Sequence, residues 1–193
     1  MNIHIDKNNF QKNTNLLSAL LYHLPFLCIG LAIKYFYSIA ENNELDFILF
    51  PTHLLVEIWT GHQGIFEAEK GYIFSTLGIC IDKSCAGLNF WVITFLSGGF
   101  AWAMKSPRLK YLPFYLAFLL CISFMTTIFT NSSRIFMAII ALKSFPHLAS
   151  FTWFHEAQGT FIFLHALFLF YLGIAYFIDS IFLKYSKRNM LNS

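Results

Sequence analysis

Apolar residues in this chain gather into long unbroken runs, and four of them reach the roughly 20 residues that a bilayer crossing requires. They cover 16–40, 87–104, 111–130 and 157–183. The first contains Pro25, which a membrane helix tolerates because its surroundings re-satisfy the freed backbone groups. The third continues into "NSSRIFMAIIAL" at 131–142. A shorter run, "LDFILFPTHLLVEIW" at 45–59, carries Asp46, His53, Glu57 and a central Pro51. Its length and charge predict an interfacial or re-entrant helix rather than a span. Between 69 and 85, "EKGYIFSTLGICIDKSC", the pattern changes. β-prone Tyr72, Ile73, Phe74, Thr76, Ile79 and Ile81 surround Gly71 and Gly78, which predicts a small hairpin or extended segment. The expectation is a single domain over 1–193, an all-α polytopic membrane protein. It has about four transmembrane helices, an interfacial helix and a short β-hairpin-like outer segment.

Composition sharpens this. Hydrophobic residues make up 57% of the 193, aromatics 19%, and charged residues only 12%, about half the charge fraction of a soluble domain. Twenty-four phenylalanines exceed what so small a core can hide, so apolar surface is expected to face the lipid bilayer. The net charge of +3 is small and forms no patch for nucleic acid. The first fifteen residues are polar and the following run is too long for a signal-peptide core, so the first span is expected to stay as an anchor. Four cysteines do not make a disulfide framework; Cys28 and Cys121 fall inside apolar runs, where a thiol is a small hydrophobe.

Charge distribution predicts orientation. Lys7 and Lys12, the loop "KSPRLK" (105–110) and the tail "KYSKRN" are basic, whereas 41–84 holds seven acids against Lys70 and Lys83. Cytoplasmic segments carry the excess of Lys and Arg. Both termini are therefore expected in the cytoplasm, as an arm (1–15) and a basic tail (184–193). The segments 45–86 and 143–156 are expected outside.

Three chemical groups then map to the outer ends of spans. Cys85, in "DKSC" before an apolar helix, lies at or near a helix start that favours an anion, with Lys83 nearby and small Ala86 and Gly87 leaving the sulfur accessible. Arg134 is bordered by apolar runs, where a cation usually faces a polar cavity, and Asn131 shares its helix face. His155 and Glu156 sit at the entry to the last span, and His155 suits proton transfer near neutral pH. Gly159, one turn on, allows close helix approach. "HEAQG" lacks the second histidine of the zinc-protease pattern, so no metal and no cofactor is expected. A cysteine nucleophile, a histidine base and a cation form an acyl-transfer set if the spans bring them together.

"SCAGLNFWVITFL", "NSSRI" and "HEAQGTFIF", in this order, resemble the exosortase/archaeosortase family of membrane transpeptidases, over roughly 50–183. The short chain and "GLNFW" are most similar to the small exosortase K branch; Ala86 stands where many members carry Ser. The resemblance implies that Cys85 is the nucleophile, Arg134 the oxyanion or carboxylate stabiliser and His155 the general acid/base, with Asn131, Glu156 and Gly159 supporting. It also implies a bacterial inner-membrane enzyme. Its partners would be membrane-tethered secreted proteins whose C-terminal sorting signal is a motif, a hydrophobic helix and a basic cluster. The signal would be cleaved and the new C-terminus passed to an acceptor amine. Two alternatives stand beside it. Cys80 and Cys85 form a C-x4-C pair that would suit a four-helix membrane thiol oxidoreductase, although a second cysteine pair is missing. A non-enzymatic accessory subunit would leave Cys85, Arg134 and His155 apart in space.

Overall fold

The computed structural model describes residues 7–104, 109–149 and 151–191. Part of the expected basic loop (105–108) and the ends of the arm (1–6) and tail (192–193) lie outside the described residues. Helices α1 (Lys7–Ile39), α2 (Asp46–Thr60), α3 (Leu88–Ala103), α4 (Leu112–Ser144), α5 (Pro146–Ala149) and α6 (Thr152–Leu191) make up most of the chain. Strands β1 (Ile65–Glu67), β2 (Gly71–Phe74) and β3 (Ile79–Ile81) form a small antiparallel sheet between α2 and α3.

Among the described residues, three stretches are long and apolar enough to cross a membrane: Lys83–Ala103, Leu112–Ser144 and Thr152–Ser180. They coincide with the second, third and fourth expected runs. The first expected run, 16–40, falls on α1, which is helical through Pro25, ends at Ile39 and is not among the three.

Helix α3 is the hub, packed against α1, α4 and α6. Between lipid-facing helices the hydrophobic effect gives little drive, so close approach and small polar residues hold them together. Both are present. A Cβ at Gly99 would lie 2.5 Å from the Phe26 ring of α1, and one at Gly98 would lie 2.4 Å from Leu119 of α4. Replacing either glycine with a larger residue would wedge the hub apart. Thr94, Ser123 and Thr127 are fully buried, and Trp91 Nε1 donates to Ser123 Oγ across α3 and α4 at 3.0 Å. At the far end, Phe26, Trp102 and Tyr115 stack into an aromatic core with Phe95 and Phe170 around them.

A second core lies where α2 and the sheet meet the tops of α3 and α4, built on Ile48, Leu49, Val56, Phe74, Ile81 and Leu88. Helix α2 has 15 residues, about 22 Å at 1.5 Å per residue and short of a bilayer. It leans on α4, with Phe47 stacked on Phe124 and Trp59 against Phe129 and Phe136. Ser132 Oγ donates to the Thr52 carbonyl at 3.2 Å. The sheet docks on α2 through a stack of Tyr72 on His53, centroids 4.0 Å apart, and through Tyr72 Oη donating to Asp46 at 2.7 Å.

The hairpin-like segment gains a strand over the sequence expectation. Its partner β1, "IFE", is too short to show an alternating pattern, and it becomes a strand by pairing Ile65 with Ile73 and Glu67 with Gly71. Helix α6 begins at Thr152, so His155 and Glu156 lie in its first turn rather than in a loop.

Candidate active site

The chain leaves β3 at Ile81 and turns sharply. Asp82 is extended, and its carboxylate accepts from Ser84 N at 2.9 Å and from Ser84 Oγ at 2.6 Å. An acceptor at this position caps a helical turn, here the 3₁₀ turn Lys83–Cys85. Ala86 is fully buried. Gly87, at φ +70°, then redirects the backbone into α3, which starts at Leu88. Cys85 therefore lies just ahead of the α3 N-cap and not within its first turn. Its own N–H is bonded to the Asp82 carbonyl at 2.8 Å.

Lys83 does not serve the thiol as the sequence suggested. Its Nζ donates to the carbonyls of Ala40 (2.7 Å) and Ser38 (3.3 Å) at the end of α1 and lies 5.2 Å from the Tyr37 ring centroid. Its backbone is clamped as well: Asn42 Oδ1 accepts from Lys83 N at 2.8 Å, and Tyr37 Oη donates to the Lys83 carbonyl at 3.2 Å. The turn that presents Cys85 is thus pinned to the α1–α2 connection.

Helix α4 pins it from the other side. Asn131 is fully buried, and its Nδ2 donates to the Cys85 carbonyl. Its side chain lies so close over Gly87 that a Cβ there would meet Asn131 Cγ at 3.1 Å. Arg134 follows one turn later. Its guanidinium carbon sits 5.3 Å from the Phe163 ring centroid of α6, a cation–π geometry. Its aliphatic stem packs on Gly159, where a Cβ would stand 3.2 Å from Arg134 Cδ. The glycine one turn below His155 is what lets the arginine pass between α4 and α6. Arg134 Nε and Asn131 Oδ1 are buried without a hydrogen-bond partner.

Cys85, Arg134 and His155 all line one cavity of about 300 Å³, at the lower end of the range for ligand sites. Its walls are the whole of β3, the α4 face from Arg134 to Leu142, Ala149, and Phe154, His155 and Gln158 of α6. His155 is exposed at the rim. Glu156, next along the helix, is exposed and lies outside the lining.

The cavity also takes in Gln158, which escaped the sequence reading, and Cys80, which entered it only through the thiol oxidoreductase alternative. Gln158 shares the face of His155 one turn on, a signal that spacing alone could have offered. Cys80 donates its thiol to the Lys70 carbonyl at 3.0 Å. Partial burial, reinforced by the negative charge of Asp82, raises the Cys80 thiol above its ordinary value. Among the described residues, no three His, Cys, Asp or Glu side chains group as metal ligands.

A family model described as transmembrane exosortase matches residues 15–172, which include Cys85, Arg134 and His155. No curated protein and no solved structure matches the chain. The chain belongs to the transmembrane exosortase family.

Proposed function

We propose that this exosortase-family chain is a membrane cysteine transpeptidase that cleaves a C-terminal sorting signal from tethered secreted proteins and hands the new C-terminus to an acceptor amine. The observation that carries the reading is the shared cavity of Cys85, Arg134 and His155, residues drawn from three separate segments. In this mechanism the Cys85 thiolate attacks the scissile carbonyl carbon, and the new S–C bond leaves an oxyanion balanced by Arg134. Such a stabilising group is worth about 2.7–4 kcal/mol in a comparable oxyanion hole. The C–N bond then breaks, and protonated His155 gives its proton to the leaving amine, which departs with the hydrophobic helix of the signal. An acceptor amine attacks the thioester, His155 takes its proton, and the thiolate is released. Asn131 holds the backbone of the nucleophile, and Gly159 makes room for Arg134.

The excess of Lys and Arg in the arm, the 105–110 loop and the tail supports placing both termini in the cytoplasm and this site on the outer face of a bacterial inner membrane. "GLNFW" supports membership of the small exosortase K branch. The test is processing of a co-expressed, tagged secreted protein that carries a motif, a hydrophobic helix and a basic cluster. Cys85→Ala should abolish cleavage and Arg134→Ala should reduce it by at least about a hundredfold. Cleavage surviving Cys85→Ala would end the proposal. Because Cys80 shares the cavity, a thiol oxidoreductase is the second reading; activity that survives Cys80→Ser excludes it.

A further inference from the structure

The cavity is bounded on one side by a strand edge. Ile79, Cys80 and Ile81 are consecutive, and all three line it. Successive side chains of a strand point to opposite faces, so a space touching three in a row runs along the strand's edge rather than over one face. That edge is open within the sheet: the order is β1-β2-β3, and β3 pairs with β2 alone.

The direction of its backbone groups follows from the register. In an antiparallel pair, alternate residues turn their N–H and C=O toward the partner strand and away from it. The Ile81 carbonyl lies over Gly71, 2.4 Å from where a Cβ would stand, and so faces β2. Cys80 must then face outward. Its carbonyl is 4.0 Å from Cys85 Sγ, which agrees.

We infer that the outward edge of β3 is the substrate-reading surface of the site: an extended polypeptide segment around the scissile bond adds to the sheet as a fourth strand and exchanges two backbone hydrogen bonds with Cys80. This rests on Cys85 being the nucleophile. An amide that donates to the Cys80 carbonyl at the usual length of about 2.9 Å brings its neighbouring carbonyl carbon within reach of Sγ. Arg134 and His155 line the same cavity. Recognition is then of backbone, so the segment must be extended and able to donate one particular N–H, while its side chains fall in alternate directions. The Cys80 side chain itself is dispensable.

The probe is acetyl-tetra-alanyl chloromethyl ketone, which alkylates a cysteine as its thiolate displaces chloride. It is applied to the full-length protein in detergent, and the labelled residue is read by mass spectrometry. Four analogues each carry one N-methylated alanine. One analogue should label Cys85 about tenfold more slowly, the factor that a hydrogen bond of about 1.4 kcal/mol represents, and the other three should label at near the parent rate. Cys80→Pro, which removes the outward-facing N–H and no hydrogen bond of the β2–β3 ladder but also fixes φ near −65°, should slow the parent probe by a similar factor and leave iodoacetamide labelling unchanged. Cys80→Ser should behave as wild type. A flat profile across the analogues, with Cys85 still labelled, overturns the edge-strand inference while leaving the nucleophile intact. Surviving cleavage in Cys85→Ala is the separate signature that the underlying reading has failed. A flat profile accompanied by a Cys80–Cys80 disulfide dimer would assign the edge to a second copy of the chain. If Cys80→Pro loses its unfolding transition, the analogue series decides alone.

Discussion

Gly87→Ala probes the joint between α3, Asn131 and the Cys85 turn. Gly87 stands at φ +70°, where a Cβ costs about 1–2 kcal/mol in any surroundings. Here the Cβ also meets Asn131 Cγ at 3.1 Å and Cβ at 3.3 Å. Asn131 is buried on every side and cannot swing away without releasing the Cys85 carbonyl, a further loss of about 1–3 kcal/mol once that group is left unpaired. The sum is about 2–5 kcal/mol. Gly61→Ala is the internal reference: it has the same sign of φ (+71°) but nothing within 4 Å, so only the backbone cost applies. Reversible unfolding in mixed micelles should therefore show Gly87→Ala less stable than Gly61→Ala by about 1–3 kcal/mol. In an Asn131→Ala background that difference should shrink toward zero, because the clash and the bond have both gone. Equal destabilisation by the two alanines, or a gap that survives Asn131→Ala, would refute the account of Asn131 as the clamp on the Cys85 backbone.

Lys83→Met should cost about 0.3–1 kcal/mol, the worth of a cation on the last carbonyls of a helix, here those of Ser38 and Ala40. Labelling of Cys85 by iodoacetamide should stay unchanged in that variant, and a marked fall would return Lys83 to the thiol. Cys80 gives a pH prediction. Its raised value means that the thiolate forms only above the ordinary thiol range, so residue-resolved alkylation of Cys80 should rise at higher pH than that of a free cysteine peptide measured beside it. Asp82→Asn removes one of the causes and should move that profile to lower pH, whereas no movement would show that the Asp82 charge is not among them.

The helices were legible because an apolar run long enough for a bilayer admits few other structures. The ends of α4 and α6 were less so, since both run on past their apolar stretch into ordinary helix. Strand β1 was hidden because three residues carry no period; pairing with β2 creates it. Lys83 was misassigned for a related reason. Two residues from Cys85 in sequence, it lies on a tight turn whose geometry sends the side chain to α1. The cavity membership of Arg134 and His155 was anticipated from charge topology and motif order, while the way Gly159 admits the arginine depends on the packing of α4 against α6. Cys80 as an edge rather than a side chain was beyond the sequence, because which backbone groups face outward is a property of register.

The height of the site follows from helix lengths. From Leu112 to Asn131, α4 rises roughly 28 Å at 1.5 Å per residue, and the 16 residues of α3 rise about 24 Å alongside it. A hydrocarbon core is about 30 Å thick; with its inner boundary set at Leu112, the outer boundary falls near the level where Asn131 holds the Cys85 carbonyl. Arg134 is one turn beyond, with its guanidinium over Phe163, and His155 and the sheet stand above. A charge at that height escapes most of the cost of burial in lipid, yet remains in a cavity walled largely by apolar side chains of α4 and β3. On the proposed reading, a substrate held by its own transmembrane helix would present at this boundary the residues just before its helix begins. A Cys85 nucleophile at the Gly87–Asn131 level would then meet that stretch without unwinding the substrate's span, and one placed a few turns deeper on α3 would not.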